Sequence, residues 1–394
     1  MESSVSTTER SRIISQARRI VIKLGTAVLM RDGGGVALSR FHSFIESMAE
    51  LKCKNRELLL VSSGAVGLGV ERLGLKSRPH LLPLKQACAA VGQGRLMALY
   101  ADAFASHNIT VAQVLLTEED FSNRGRYLNL RSTLTTLLEL GALPIINEND
   151  TVSTAELELL EAAPYVKINF GDNDKLAALV ASKMEADLLV ILTDVEGLYT
   201  ANPKDIGDAQ LIPVIEEITP DLEELAGGSG SRLGRGGMKT KLEAARIATQ
   251  SGCAVLLAGG KIPAVIDRVF AGEPLGTLFL PQPGLPGKRR WIAFATSVKA
   301  AVVVNEGARR ALLERKASLL AAGVTEVRGQ FDRGDVVSIL DERGREFARG
   351  IVNYSSAEAR KISGAHSTKI DELIENRNYD ALITRDNIAF LERR

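Results

Sequence analysis

The segment 227–241, GGSGSRLGRGGMKTK, concentrates six glycines, two arginines and two lysines ahead of a helical pattern that runs to about Gln250. Glycine lets backbone N–H groups approach an anion closely, cations attract phosphate, and a helix N-terminus adds donors and a favourable dipole. The combination reads as a nucleotide-phosphate loop in preference to a surface linker. Lys239 and Lys241 are two apart, so on a helix they leave in different directions and at most one reaches a reacting phosphate. A third lysine, Lys23, closes an apolar strand-like run, where an ammonium group is costly without a partner. Either it snorkels to solvent or it serves a transferred phosphoryl group, whose chemistry depends on positioning and charge stabilisation. The acidic counterpart is FGDND at 170–174. Asp172 or Asn173 alone would cap a helix; the surplus suits indirect Mg²⁺ binding, an ammonium group or the orientation of a lysine. Asn147-Glu148-Asn149-Asp150 carries a similar excess of polar groups and reads as substrate contact.

Positioning these groups requires a scaffold. Apolar runs rich in Val, Ile and Leu occur at 20–22, 58–61, 110–116, 144–146, 188–192 and 254–257. Unbroken apolarity of this length predicts strands buried on both faces. Between them Phe41, Phe44, Ile45, Met48 and Leu51, and again Leu176, Leu179, Val180 and Met184, recur at helical spacing. The alternation predicts an α/β fold, an open, mostly parallel sheet sandwiched between helices. Ligands of such sheets bind beyond the carboxyl ends of the strands. There the chain places Lys23-Leu24-Gly25-Thr26, Ser62-Ser63-Gly64-Ala65, Asn147 to Asp150, Thr193-Asp194 and Gly259-Gly260-Lys261. Gly25 or Gly64 taken singly reads as a plain strand-to-helix turn; the convergence of all five segments is the stronger signal. No GxxxxGK[ST] is present, since Met238 precedes Lys239, and no GxGxxG follows a strand, so P-loop and dinucleotide sites are not supported.

At 394 residues the chain exceeds one ordinary domain. Pro281, Pro283, Gly284, Pro286 and Gly287 cluster in a sequence with 12 prolines in all, which sets a first domain at 1–280, a linker at 281–288 and a second domain at 289–394. The second domain reads as small and β-rich, with strand-like runs at 291–294, 301–304, 325–328, 336–340 and 347–352 and helices at 308–320 and 356–362. The net charge of +1 divides unevenly: residues 288–394 hold 20 Lys+Arg against 15 Asp+Glu, the rest 29 against 33. A local excess of five with few aromatics is weak support for RNA binding. A 45% hydrophobic, 25% charged composition excludes disorder as the dominant state. Cys53, Cys88 and Cys253 form no CxxC pair, which favours a reducing, cytoplasmic compartment. The four histidines show no metal-ligand spacing. Residues 1–16 lack the apolar core of a signal peptide, and no apolar run is long enough to span a membrane.

KLGT, VSSGA, INEND, GDND, ILTDVEGLYT and GRGGMKTK occur in this order, and together they resemble the amino-acid kinase family. Within it they are similar to the branch that phosphorylates the γ-carboxylate of glutamate at the opening of proline biosynthesis. The resemblance spans about 19–364, and the segments 327–329, 333–335 and 348–350 resemble a PUA domain, a small β-barrel module shared with RNA-modifying proteins. It implies an ATP- and Mg²⁺-dependent kinase in which Lys23 and Lys241 stabilise the phosphates. Asp172 and Asp174 would serve substrate binding and organise the lysines. Ser63, Gly64, Asp150 and Asn173 would bind L-glutamate. Gly25, Thr193 and Asp194 would contact the nucleotide, with Arg235, Gly236, Gly237, Met238, Lys239, Thr240 and Lys241 as its loop. It further implies a homo-oligomer (tetramer or dimer), feedback inhibition by L-proline and a downstream glutamyl phosphate reductase. A γ-carboxylate is already ionised at neutral pH, so Asp174 is expected to orient a lysine, not to abstract a proton.

Two departures stand out. Ala27 replaces a common serine. The stretch 150–171 is longer than the family pattern by roughly ten residues and resembles the kinase half of bifunctional pyrroline-carboxylate synthases. That insertion, around 156–167, bears on substrate affinity and proline sensitivity. Competing readings are an acetylglutamate kinase or aspartokinase type, which the PUA-like tail argues against, and an RNA-binding protein acting through that tail. For the tail itself a structural or oligomer-modulating role is preferred.

Overall fold

The computed structural model describes residues 2–32, 34–77, 79–122, 124–152, 173–201, 206–222, 237–282, 292–293, 298, 300–315, 317–365 and 381–391. They form two compact units that divide at residue 284.

Among the described residues, the first unit is built on eight strands: β1 Arg19–Leu24, β2 Glu57–Ser62, β3 Val111–Leu116, β4 Leu143–Glu148, β5 Leu188–Thr193, β6 Val214–Ile215, β7 Ala254–Gly259 and β8 Thr277–Phe279. Their order in the sheet is β3-β4-β2-β1-β5-β7-β8-β6. Every pairing from β3 to β7 is parallel, and only β7–β8 is antiparallel. The chain leaves β1 for β2 on one side and later returns to β5 on the other. This is a switch point, and it opens a crevice beyond the carboxyl ends of these strands.

Side chains alternate across the sheet with period two. Ile20, Ile22, Leu24, Leu58 and Leu60 pack with Phe41, Phe44 and Met48 of the Leu38–Cys53 helix and with Leu96, Tyr100 and Phe104 of the Leu82–Ala105 helix. Val21, Leu59 and Leu189 alternate with these and are also fully buried. The Asn173–Lys183 helix packs on β1, β2, β4 and β5, and against it lies the Met238–Gln250 helix. Burial on both faces is why β1, β2, β4, β5 and β7 read as continuous apolar runs; the run 110–116 differs, since β3 is an edge strand, partly buried and with Gln113 exposed. Each fully buried Leu, Ile or Val contributes about 1.5–3 kcal/mol.

Glycine shapes the edge of this layer. Gly64 has φ +112, a conformation costly for any other residue, and starts the Ala65–Arg72 helix. That helix meets the Leu82–Ala105 helix backbone to backbone. A Cβ on Gly92 would lie 1.7 Å from the Ala65 carbonyl oxygen, and one on Gly69 1.8 Å from that of Cys88.

Several elements differ from the sequence reading. Lys23 is the penultimate residue of β1, and Leu24 ends it. The N-terminal Glu2–Gln16 segment is a helix, tied down by Arg10, whose guanidinium donates to the Pro213 carbonyl at 2.9 Å and to the carbonyls of Leu275 and Gly276. The edge strand β6 and its neighbour β8, of two and three residues, are too short to show a period. In the run 291–294, Ile292 and Ala293 are helical.

The second unit carries β9 Ala301–Val304, β10 Val324–Arg328, β11 Val336–Leu340, β12 Glu346–Ile351 and β13 Ile388–Phe390, in the order β10-β9-β11-β12-β13. Val302, Val304, Val337, Ile339, Phe347 and Tyr354 fill its core. Its Ser356–Ile362 helix starts with a reciprocal cap between Ser355 and Glu358. Among the described residues, no helix is long and apolar enough to cross a membrane.

Candidate active site

Three charged side chains meet in the first unit's buried layer. Lys23 lies at odd register with Val21 on β1, so it faces the layer that holds the Asn173–Lys183 helix. Asp174 stands in the first turn of that helix, and Lys241 in the first turn of the Met238–Gln250 helix. Lys23 Nζ is 2.5 Å from Asp174 Oδ1, and Lys241 Nζ is 3.1 Å from Asp174 Oδ2. The carboxylate is fully buried and both lysine side chains are at most 6% exposed. Burial pushes the Asp174 carboxyl up, but the ammonium groups of Lys23 and Lys241 outweigh it and hold the carboxyl below its ordinary range. Asp174 is therefore an anion at neutral pH, shared by the two ammonium groups.

Uncapped helix N-termini surround this cluster. The Thr26–Leu29, Ala65–Arg72 and Met238–Gln250 helices start from Gly25, Gly64 and Gly237, and none of these supplies a side-chain cap. A Ser or Asp cap would compete with a ligand for first-turn N–H groups; here Val28 N–H and Thr240 N–H donate to the Gly25 and Gly237 carbonyls. A Cβ on Gly25 would stand 3.4 Å from Lys23 Nζ, so glycine there keeps the ammonium group approachable. Lys239 is exposed while Lys241 turns inward. Thr240 Oγ1 donates to the Gly237 carbonyl at 2.9 Å. Met238 opens the helix. Beyond β5, Thr193 is buried and its hydroxyl donates to Asp194 Oδ1 at 3.0 Å.

A neutral network adjoins the charged one. Asn173 Nδ2 donates to Ser63 Oγ at 2.8 Å and to Asn147 Oδ1 at 3.0 Å, and Asn147 Nδ2 donates to Gln93 Oε1 at 2.9 Å. Ser62 Oγ and Tyr100 Oη lie 2.8 Å apart behind it, and burial pushes the Tyr100 phenol up. Asp150 lines a cavity of about 260 Å³ next to this network, with Ala65, Gln93 and Glu148.

The structure thus gathers Lys23, Asp174 and Lys241 into one cluster and Ser63 and Asn173 into one network, with Gly64 and Asp150 alongside. It sets Lys239 apart from both. Asp172, Arg235 and Gly236, like the 156–167 insertion, lie outside the described residues. Gln93 and Tyr100 escape sequence reasoning, and Asn147 enters it only as part of its segment. The available signal for Gln93 was an amide among Ala89, Gly92 and Leu96 on the buried face of one helix.

A mostly parallel α/β sheet with buried lysines and open helix N-termini at its carboxyl edge has the make-up of a phosphotransferase. Residues 18–259 match the Amino acid kinase family, and the chain belongs to that family. Residues 300–374 match the PUA domain. Among its relatives, a glutamate 5-kinase of Caldanaerobacter subterraneus subsp. tengcongensis is 46% identical over 376 residues, covering 95% of this chain and 98% of that one. A glutamate 5-kinase of Moorella thermoacetica is 46% identical over 379 residues, 96% of this chain and 97% of that one. One from Trichlorobacter lovleyi is 46% identical over 383 residues, 97% and 99% respectively.

Proposed function

We propose that this protein transfers the γ-phosphoryl group of ATP to the γ-carboxylate of L-glutamate, giving L-glutamyl 5-phosphate for proline biosynthesis. The observation that carries the reading is the buried carboxylate of Asp174 held between two buried lysines. Relatives named glutamate 5-kinase over nearly the whole chain support the acceptor.

In this reading a γ-carboxylate oxygen attacks the γ-phosphorus, the bond to the β–γ bridging oxygen breaks, and its electron pair leaves with ADP. No proton moves, because the nucleophile is already ionised. The obstacle is repulsion between carboxylate and phosphate, and Lys23 and Lys241 offset it. Asp174, held as an anion by those two lysines, is a positioning group. Ser63, Gly64, Asp150 and Asn173 would hold glutamate. Gly25, Thr193, Asp194 and the helix start from Gly237 to Lys241 would hold ATP, with Asp172, Arg235 and Gly236 assigned by resemblance. Among the described residues no three His, Cys, Asp or Glu side chains cluster to hold a metal, and both Asp174 oxygens face lysines. Mg²⁺ would accordingly be carried by the nucleotide phosphates, where it neutralises charge.

The same reading takes 1–280 as the kinase domain, 281–288 as linker and 289–394 as the PUA-like domain. It places the enzyme in the cytoplasm as a homo-oligomer under L-proline feedback, with a reductase to consume the labile acyl phosphate. For the PUA-like domain we favour a structural role over RNA binding: Arg328, Arg333, Arg345 and Arg349 pair with Glu326, Glu358, Asp341 and Glu346.

The test is ATP turnover with hydroxylamine as trap. Hydroxamate should form with glutamate. Product from aspartate or acetylglutamate in its place would overturn the assignment.

A further inference from the structure

We propose that Gln93 is a substrate-selecting residue, whose side-chain N–H group binds the α-carboxylate of the amino-acid substrate. This rests on the functional reading above and adds a residue to it.

The argument follows from which atoms can only accept. Asn173 Nδ2 lies 3.4 Å from the Ser62 backbone carbonyl, and a carbonyl oxygen cannot donate. The Asn173 group facing it must be the NH₂. The same NH₂ faces Asn147, which must then show its Oδ1, so the Asn147 NH₂ points at Gln93. Gln93 must answer with Oε1. One backbone carbonyl thereby fixes three amide orientations in sequence. At the two ends, Asn173 Oδ1 and Gln93 Nε2 are left outside the relay.

Gln93 is 8% exposed, and its Nε2 is buried with no hydrogen-bond partner among the described residues. An orphan amide N–H is costly to bury, and Gln93 lies on the wall of a cavity where a ligand could supply the acceptor. The cavity is lined by Gln93, Gln113, Glu148, Asn149 and Asp150. The carboxylates of Glu148 and Asp150 favour an ammonium group and repel a carboxylate. A zwitterionic amino acid entering here therefore needs a neutral donor for its carboxylate, and the Gln93 amide supplies one. The close helix crossing at Gly92 and Ala65 is what carries the neighbouring residue this far in.

The discriminating variant is Gln93→Glu. Its carboxylate still accepts from Asn147, so the relay keeps its sense, but the N–H donor is gone. Steady-state kinetics on the full chain would compare L-glutamate with 4-aminobutyrate, which has the γ-carboxylate and lacks the α-carboxylate. Loss of a hydrogen bond to a charged group corresponds to about a 10- to 100-fold fall in kcat/KM for glutamate. The value for 4-aminobutyrate should stay within about threefold, and the KM for ATP should not move. Equal losses on both substrates, or no loss on glutamate, overturn the assignment while the wild-type activity stands. A wild type that does not turn over glutamate overturns the functional reading and this assignment with it.

Discussion

Removing the Asp174 charge should damage this protein in a different way from removing Lys241. In the wild type, Asp174 is 2.5 Å from Lys23 and 3.1 Å from Lys241, with all three side chains almost completely buried. Asp174→Asn leaves two ammonium groups facing one neutral amide. Deleting one partner of a buried pair costs about 3–5 kcal/mol. For a domain of this size that is a fall in Tm of about 6–20 °C. Lys241→Met keeps the Lys23–Asp174 pair and puts an apolar side chain of similar length beside it, so its fall in Tm should be smaller than that of Asp174→Asn. Activity should not follow stability. Both variants disturb the charge that meets the phosphoryl group, and 3–5 kcal/mol corresponds to a fall in kcat of roughly 10²- to 10⁴-fold. The assays are thermal unfolding by circular dichroism and hydroxamate formation at saturating substrates. Lys241→Met destabilising more than Asp174→Asn, or either variant keeping kcat within threefold, would refute the charge argument.

Gly92→Ala should cost about 1–3 kcal/mol by overpacking, because the new methyl would stand 1.7 Å from a backbone oxygen that cannot rotate away; chemical denaturation measures this, and a neutral result would show that the helix crossing is compliant. In the second unit, the Arg333 guanidinium and the Ser355 cap hold the Glu358 carboxyl down to about 2. Its folded value is depressed, so its stabilisation is complete above the ordinary glutamate range and fades as pH falls from there toward 2. Glu358→Gln should therefore unfold more easily than wild type at neutral pH and converge with it in acid, and parallel denaturation curves at every pH would contradict this.

Much of the fold was legible because both faces of the sheet are buried. The apolar run 188–192 lies within Leu188–Thr193, and 254–257 within Ala254–Gly259. Elements without a period were not legible: β6 and β8 are too short, and the N-terminal helix is polar, with Arg10 satisfied by distant carbonyls that no local pattern announces. Lys23 was legible as chemistry, since a lysine inside an apolar strand demands a partner. That its partner is Asp174 follows only from packing, which sets two helix starts over one strand. Gln93 was not legible, because its significance lies in a chain of amides contributed by Asn147 and Asn173, 54 and a further 26 residues along the sequence.

The central claim is that a substrate carboxylate oxygen takes the phosphoryl group. L-Glutamate labelled with ¹⁸O in its γ-carboxylate tests this directly when the protein turns over ATP in the presence of hydroxylamine. Hydroxylamine attacks the acyl carbon and expels phosphate with the bridging oxygen. The released phosphate should carry one ¹⁸O, read as an isotope shift in ³¹P NMR, in amounts equal to the hydroxamate formed. Unlabelled phosphate would mean that water, and not the carboxylate, accepts the phosphoryl group.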